Sequence, residues 1–188
     1  MIILVSGGCK SGKSTLAQKL ACQLSASGRR YYLATMCPSD GEDRERIRRH
    51  VQERAGLGFE TVEQGSRILD CLDRLEPYST VLLDSLTALL ANEMFGGGPA
   101  DRNAAERLAG ELEAFALHFK AGNVIAGSDC IASDARQYEA LTELYRSSLA
   151  FCEQRLAAEL SASCALDIVR PFPAVRKELA RGTMQSEA

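Results

Sequence analysis

The sequence predicts an α/β domain, a mostly parallel sheet with helices on both faces. Three observations carry this: short β-branched apolar runs alternate with longer stretches of helical periodicity; the first run opens straight into a glycine-rich loop; and 188 residues, 46% hydrophobic and 25% charged, are enough for one core. A chain of this length buries roughly 70% of its unfolded surface, so a disulfide scaffold is not needed. Residues 1–188 therefore read as a single domain, with a weakly ordered tail from about residue 182, where Ser, Glu and Gln dominate.

The elements follow in order. Residues 2–5, Ile-Ile-Leu-Val, form a buried strand that runs into Gly7 and Gly8. From about residue 12 to 26, Leu16, Leu20, Ala21 and Leu24 recur at helical spacing until Gly28 stops the run. Residues 31–35 are a second strand. Residues 40–54 are dense in charge, with Ile47 and Val51 the only large apolar side chains, which predicts a mostly solvated helix or a lid. A short strand at 59–62, a helix at 66–75, and a buried strand at 80–84 ending in Asp84 come next, then a helix through Phe95. The Gly96-Gly97-Gly98-Pro99 break precedes a long amphipathic helix at 101–119, with Leu108, Leu112, Phe115 and Phe119 on one side. Residues 123–126 are a further strand, 135–160 a long helix carrying Leu141, Leu144, Tyr145, Leu149, Cys152 and Leu156 near one face, and 165–169 a last strand.

Composition excludes several classes of function. With 22 basic against 25 acidic residues the net charge is −3, so no basic field is present to hold a nucleic-acid backbone. The apolar run after Met1 is too short for a signal peptide or a membrane span, and the expected location is cytoplasmic. Seven cysteines, an odd number without a Cys-x-x-Cys pair or a neighbouring histidine, read as small buried apolar residues of a reduced protein.

Gly7, Gly8, Cys9, Lys10, Ser11, Gly12, Lys13 and Ser14 match the G-x-x-x-x-G-K-[ST] pattern, after a strand and before a helix as its mechanism requires. Backbone amides turned inward form an anion nest, Lys13 reaches the β and γ phosphates of a nucleotide, and Ser14 offers an oxygen to Mg²⁺. A chance glycine-rich turn would lack that flanking strand and helix. Asp84 fits the acid that such proteins place on a neighbouring strand for the Mg²⁺ shell, or else a helix cap, a role for which Ser85 competes.

His118 lies near a helix C-terminus, where the dipole favours an imidazole. His50 differs, because Arg46, His50 and Arg54 share one face of the charged helix and Arg49 is adjacent. Neighbouring positive charge favours a neutral ring, with one nitrogen free to attack phosphorus while the arginines bind phosphates. The bland alternative is a solvated helix face.

These residues together resemble bifunctional adenosylcobinamide kinase/adenosylcobinamide-phosphate guanylyltransferase: GGCKSGKS at 7–14, Ala34-Thr35 after the second strand, Arg46-Ile47 ahead of His50 and Arg54, Thr61 and Glu63, and LLDSLT at 82–87. The resemblance implies a RecA-like P-loop fold, a homotrimer, and two reactions in cobalamin biosynthesis: phosphorylation of adenosylcobinamide, and transfer of GMP from GTP through a guanylylated histidine to the phosphate so formed. It implies Lys13 and His50 as catalytic residues, with Mg²⁺ on Ser14 and Asp84. Contacts to ATP or GTP are implied for residues 7–14, Ala34, Thr35, Met36, Val51, Gln52, Glu53, Arg54, Glu63 and Asp84. Three departures stand out. Phe59 replaces a tryptophan, Asp84 replaces the more usual Glu, and the family's Asn-Glu-Val-Gly loop after the strand at 124–126 reads Gly127-Ser128-Asp129-Cys130-Ile131-Ala132. Tyr145-Arg146 and Gln154-Arg155-Leu156-Ala157-Ala158 return at the expected spacing. Two other readings are a diverged P-loop kinase with a different small-molecule acceptor, and a non-catalytic nucleotide-binding subunit; intact Lys13, Ser14, Asp84 and His50 favour an enzyme.

Overall fold

A computed structural model describes residues 1–8, 11–25, 28–129, 131, 138–161 and 166–169, and for 158–161 and 166–169 the backbone alone. Cys9, Lys10, Cys130, Cys164 and the tail from 182 lie outside the described residues.

Among the described residues, six strands form one parallel sheet: β1 (Ile2–Gly7), β2 (Arg30–Ala34), β3 (Phe59–Glu63), β4 (Thr80–Asp84), β5 (Asn123–Asp129) and β6 (Leu166–Val169), in the order β3-β2-β4-β5-β1-β6. Successive strand residues face opposite sides. Ile2, Leu4, Tyr31, Leu33, Val81, Leu83, Val124 and Ala126 accordingly join one apolar cluster with α3 (Leu86–Phe95), α4 (Ala104–His118) and α5 (Ala140–Ser161). Ile3, Val5, Tyr32, Leu82 and Ile125 join a second cluster with Ala17 and Ala21 of α1 (Lys13–Leu24). Helices thus cover both faces, as the alternation of patterns predicts. β1, which opens into the phosphate loop, and β4, which ends in Asp84, are separated by β5 alone, the strand arrangement of a RecA-like P-loop sheet.

The predicted stripe of α4 is buried throughout, with Leu108, Leu112, Phe115 and Phe119 at 2% exposure or less. His118 ends that helix, its ring edge-on to Phe119. In α5, Leu149, Cys152 and Leu156 are buried, whereas Leu141 sits in the exposed first turn. α2 (Gly41–Glu53) is the solvated helix: none of its residues is buried, and Asp40 caps it by accepting from the Asp43 amide at 2.9 Å. The close approach of strand entries needs Gly122, where a Cβ would meet Ser79 O at 2.4 Å.

Three expectations change. Residues 66–75 hold a 3-10 helix, Ile68–Arg74, because Arg67 enters it at φ 49° and its first amides are taken by carboxylates: Arg67 N donates to Glu93 and Ile68 N to Glu111. β5 runs on to Asp129, so the stretch read as a changed loop from Gly127 is strand to within one residue of Cys130. Cys37 is exposed, unlike Cys71 and Cys152, whose thiols burial pushes up to about 11 and about 12.

A cavity left at Phe115 should cost about 3–5 kcal/mol. Urea unfolding of Phe115→Ala should show that loss, while Leu117→Ala, on the exposed side of the same helix at 68% exposure, should stay within about 0.5 kcal/mol of the parent.

Candidate active site

Parallel strands all end at one edge of the sheet, and that edge holds the site. The register sets Gly7 beside Asp129, Asp84 beside Gly127, and Ala34 between Asp84 and Glu63. A cleft of about 380 Å³ lies over this edge, its floor formed by Lys13, Ser14, Asp84 and Asp129 and its wall by Arg44, Arg46, Ile47 and His50 of α2.

At the phosphate loop Gly12 takes φ 85°, a left-handed value that a Cβ would strain, and Lys13 begins α1 immediately after it. Among the described residues no side chain caps α1 and no acid sits in its first turn, which suits the binding of an anion at its positive dipole end. Ser11 Oγ is buried without a hydrogen-bond partner among the described residues, which suits a hydroxyl set in an anion nest.

Asp84 is held from below, as the Tyr32 phenol donates to its Oδ2 at 2.6 Å. Burial and the Asp84 carboxylate raise the Tyr32 pKa, so the phenol remains a donor. Ser85, not Asp84, caps α3, its Oγ accepting from the Ala88 amide at 3.2 Å, and that leaves the Asp84 carboxylate for the cleft. Asp84 and Ser14 offer hard oxygens, and no group of three or more His, Cys, Asp or Glu that could hold a metal occurs among the described residues. Such a donor set fits Mg²⁺, which keeps waters and phosphates as most of its ligands.

The face of α2 predicted from spacing is the face that meets the cleft, since Arg46, His50 and Arg54 all line it. Arg54 is 8% exposed, stacked 3.9 Å from the Tyr32 ring centroid and donating to Thr61 Oγ1 at 3.1 Å. This guanidinium thus anchors the helix end as well as lining the site. His50 Nδ1 is buried 3.5 Å from Glu53 Oε2 without hydrogen bonding to it. An acid, beside the arginines, is therefore a close neighbour of the ring.

Of the other residues singled out in the sequence, Ala34, Met36 and Glu63 line the cleft. Thr35 is fully buried behind it, its hydroxyl receiving the Ser85 amide at 2.7 Å and donating to Ser85 O at 2.8 Å. Val51, Gln52 and Glu53 are exposed and do not line it. Sequence reasoning missed Tyr32, Arg44 and Asp129. Tyr32 hides in an apolar strand and Arg44 in a charged helix, whereas an acid one residue past a glycine-serine pair at a strand end was a usable signal for Asp129.

Comparison with known proteins matches residues 3–167 to the cobinamide kinase / cobinamide phosphate guanyltransferase family. The bifunctional adenosylcobalamin biosynthesis protein CobU of Escherichia coli K12 is 35% identical over 103 residues, 54% of this chain and 55% of that protein. The corresponding CobP of Pseudomonas aeruginosa PAO1 is 35% identical over 114 residues, 59% of this chain and 60% of that one. The chain thus matches between half and two thirds of the length of these relatives. Among solved structures, an ATPase domain gives a TM-score of 0.49 at 15% identity, covering 82% of this chain and 66% of that one; the flagellar accessory protein FlaH of Methanocaldococcus jannaschii gives 0.43 at 16%, covering 78% and 67%. The fold rests on the strand order described above.

Because α2 buries none of its residues, Arg54 should govern its hold on the sheet. Arg54→Ala removes a hydrogen bond and a cation–π contact, about 1–3 kcal/mol together. Hydrogen exchange should then accelerate at least tenfold, roughly 1.4 kcal/mol, across the α2 amides and leave the β5 amides unchanged.

Proposed function

Since the chain belongs to the cobinamide kinase / cobinamide phosphate guanyltransferase family, we propose that it carries out both reactions in the one cleft. It phosphorylates adenosylcobinamide and then transfers GMP from GTP, through His50, to the resulting phosphate. The observation that carries this reading is that Lys13 of the phosphate loop and His50 of α2 line the same cleft.

For the kinase step, Lys13 and the amides around Gly12 hold the β and γ phosphates of a nucleoside triphosphate, and Ser14 and Asp84 would hold Mg²⁺. When bound there, the ion would supply neutralising charge to the phosphate oxygens. Positioning and charge account for most of the catalysis in such transfers, and a missing charge contact costs on the order of 3 kcal/mol or more.

For the guanylyl step, the chain supplies the nucleophile. Nδ1 of His50 is buried beside Glu53, which leaves Nε2 as the ring nitrogen available for attack. Nε2 bonds to the α phosphorus of GTP, the bond from that phosphorus to the α,β-bridging oxygen breaks, and pyrophosphate departs. The corrinoid phosphate then attacks the same phosphorus and the P–N bond breaks, freeing His50. Arg44 and Arg46, both lining the cleft, balance the phosphate charge during the exchange.

GTP labelled at the α phosphate should leave acid-labile, base-stable label on the wild type and none on His50→Ala. Lys13→Ala should lose at least about 100-fold in phosphate transfer to adenosylcobinamide. Label on His50→Ala, or none on a wild type shown to bind GTP, removes the guanylyltransferase half and leaves a P-loop kinase; Lys13→Ala within about tenfold of wild type, roughly 1.4 kcal/mol, removes the phosphate loop from catalysis.

A further inference from the structure

Asp129 takes no part in the chemistry above, yet its carboxylate makes the shortest ion pair in the cleft, Oδ1 to Lys13 Nζ at 2.6 Å. It ends β5, in register with Gly7 at the mouth of the phosphate loop. Its backbone is tied by hydrogen bonds to two helices. The Asp129 amide donates to Thr87 Oγ1 at 2.8 Å, the Tyr145 phenol donates to Thr87 O at 2.8 Å, and the Ile131 amide donates to Asp129 O at 2.8 Å. Arg146, itself buried, donates to Ile131 O at 3.0 Å. α3 and α5 together hold the Asp129 backbone, and Lys13 holds its carboxylate.

Such a position is electrostatically awkward for a simple phosphate site. When the Lys13 ammonium serves the β and γ phosphates, a carboxylate held within hydrogen-bond distance of it stands at the γ end of the nucleotide. A bare acid beside a phosphate is repulsive, and it is relieved when a hydroxyl lies between the two and donates to the acid. Asp84, the other acid on the floor of the cleft, already accepts the Tyr32 hydrogen bond and is the acid proposed above to hold Mg²⁺ with Ser14.

On the reading that the chain is a kinase, we infer that Asp129 is the proton acceptor for the attacking hydroxyl. The hydroxyl oxygen bonds to the γ phosphorus, the bond from that phosphorus to the β,γ-bridging oxygen breaks, ADP leaves, and the hydroxyl proton passes to the Asp129 carboxylate. Before nucleotide arrives, the same carboxylate holds Lys13, so nucleotide binding must exchange one anionic partner of Lys13 for another. Asp129 therefore opposes nucleotide binding and promotes transfer.

The two effects have opposite signs in one variant, which makes them testable. ATP affinity and the single-turnover rate of phosphate transfer at saturating ATP are measured for wild type, Asp129→Asn and Asp129→Glu with adenosylcobinamide as acceptor. Asp129→Asn should bind ATP as tightly as wild type or tighter and transfer phosphate on the order of 10²–10⁴ times more slowly, with part of the rate restored in Asp129→Glu. Tenfold weaker ATP binding by Asp129→Asn would overturn the inference by making Asp129 a support for Lys13, and a transfer rate within threefold of wild type would overturn it outright. If wild type phosphorylates no corrinoid, the proposed acceptor is wrong, and the same comparison is made on ATP hydrolysis, with water as acceptor and the same outcomes deciding.

Discussion

Parallel register is the constraint on which the site depends. Because β2, β4, β5 and β1 all run the same way and are paired residue by residue, Ala34, Asp84, Asp129 and Gly7 are brought to one edge. A slip of one position in any strand would exchange the residues packed under α3, α4 and α5 with those packed under α1, and would move the residues at the strand ends out of line. The packing of both apolar faces that stabilises the sheet therefore also fixes the spacing of the acids and the phosphate loop. Stability and chemistry share a cause here: Leu83 packs in the core, and its neighbour Asp84 emerges at the edge.

Against this rigid edge stands an exposed helix. α2 carries His50 and buries none of its own residues, so its attachment depends on a few contacts at its end, above all Arg54 on Tyr32 and Thr61. Tyr32 also donates to Asp84, which joins the anchor of the histidine helix to the acid beside the phosphate loop through two contacts. A helix with so little burial belongs to the low-stability part of the molecule, where elements that close over ligands are found. The proposed chemistry needs that freedom, because His50 must meet GTP first and the corrinoid phosphate second.

Local patterns were legible in the sequence. The apolar stripe of α4 and the arginine-histidine face of α2 are each defined by spacing within a single element; the first is buried and the second lines the cleft, while the phosphate loop was legible as a motif between a strand and a helix. What the sequence did not show depends on pairing between distant segments. The 3-10 helix at Ile68–Arg74 is shaped by Glu93 and Glu111 from α3 and α4, which local propensity does not encode. Tyr32 reads as one more apolar strand residue until the sheet sets it beside Asp84. Asp129 reads as part of a changed loop because residues 127–132 depart from the Asn-Glu-Val-Gly loop of the resembled family; pairing of Gly127 with Val5 and Asp84 keeps 127–129 in the strand, and the acid then reaches Lys13.

The central claim is that the phosphate loop and His50 serve one nucleotide pocket, because Lys13, Ser14 and His50 line one cleft. The most direct measurement is labelling of the protein by α-labelled GTP and Mg²⁺ against rising concentrations of a non-hydrolysable ATP analogue, with binding of the analogue at the phosphate loop verified by its loss in Lys13→Ala. A shared pocket predicts competitive inhibition, reaching complete loss of label when the analogue saturates the loop. Undiminished labelling with the loop saturated would mean separate sites for the two nucleotides and would contradict the account.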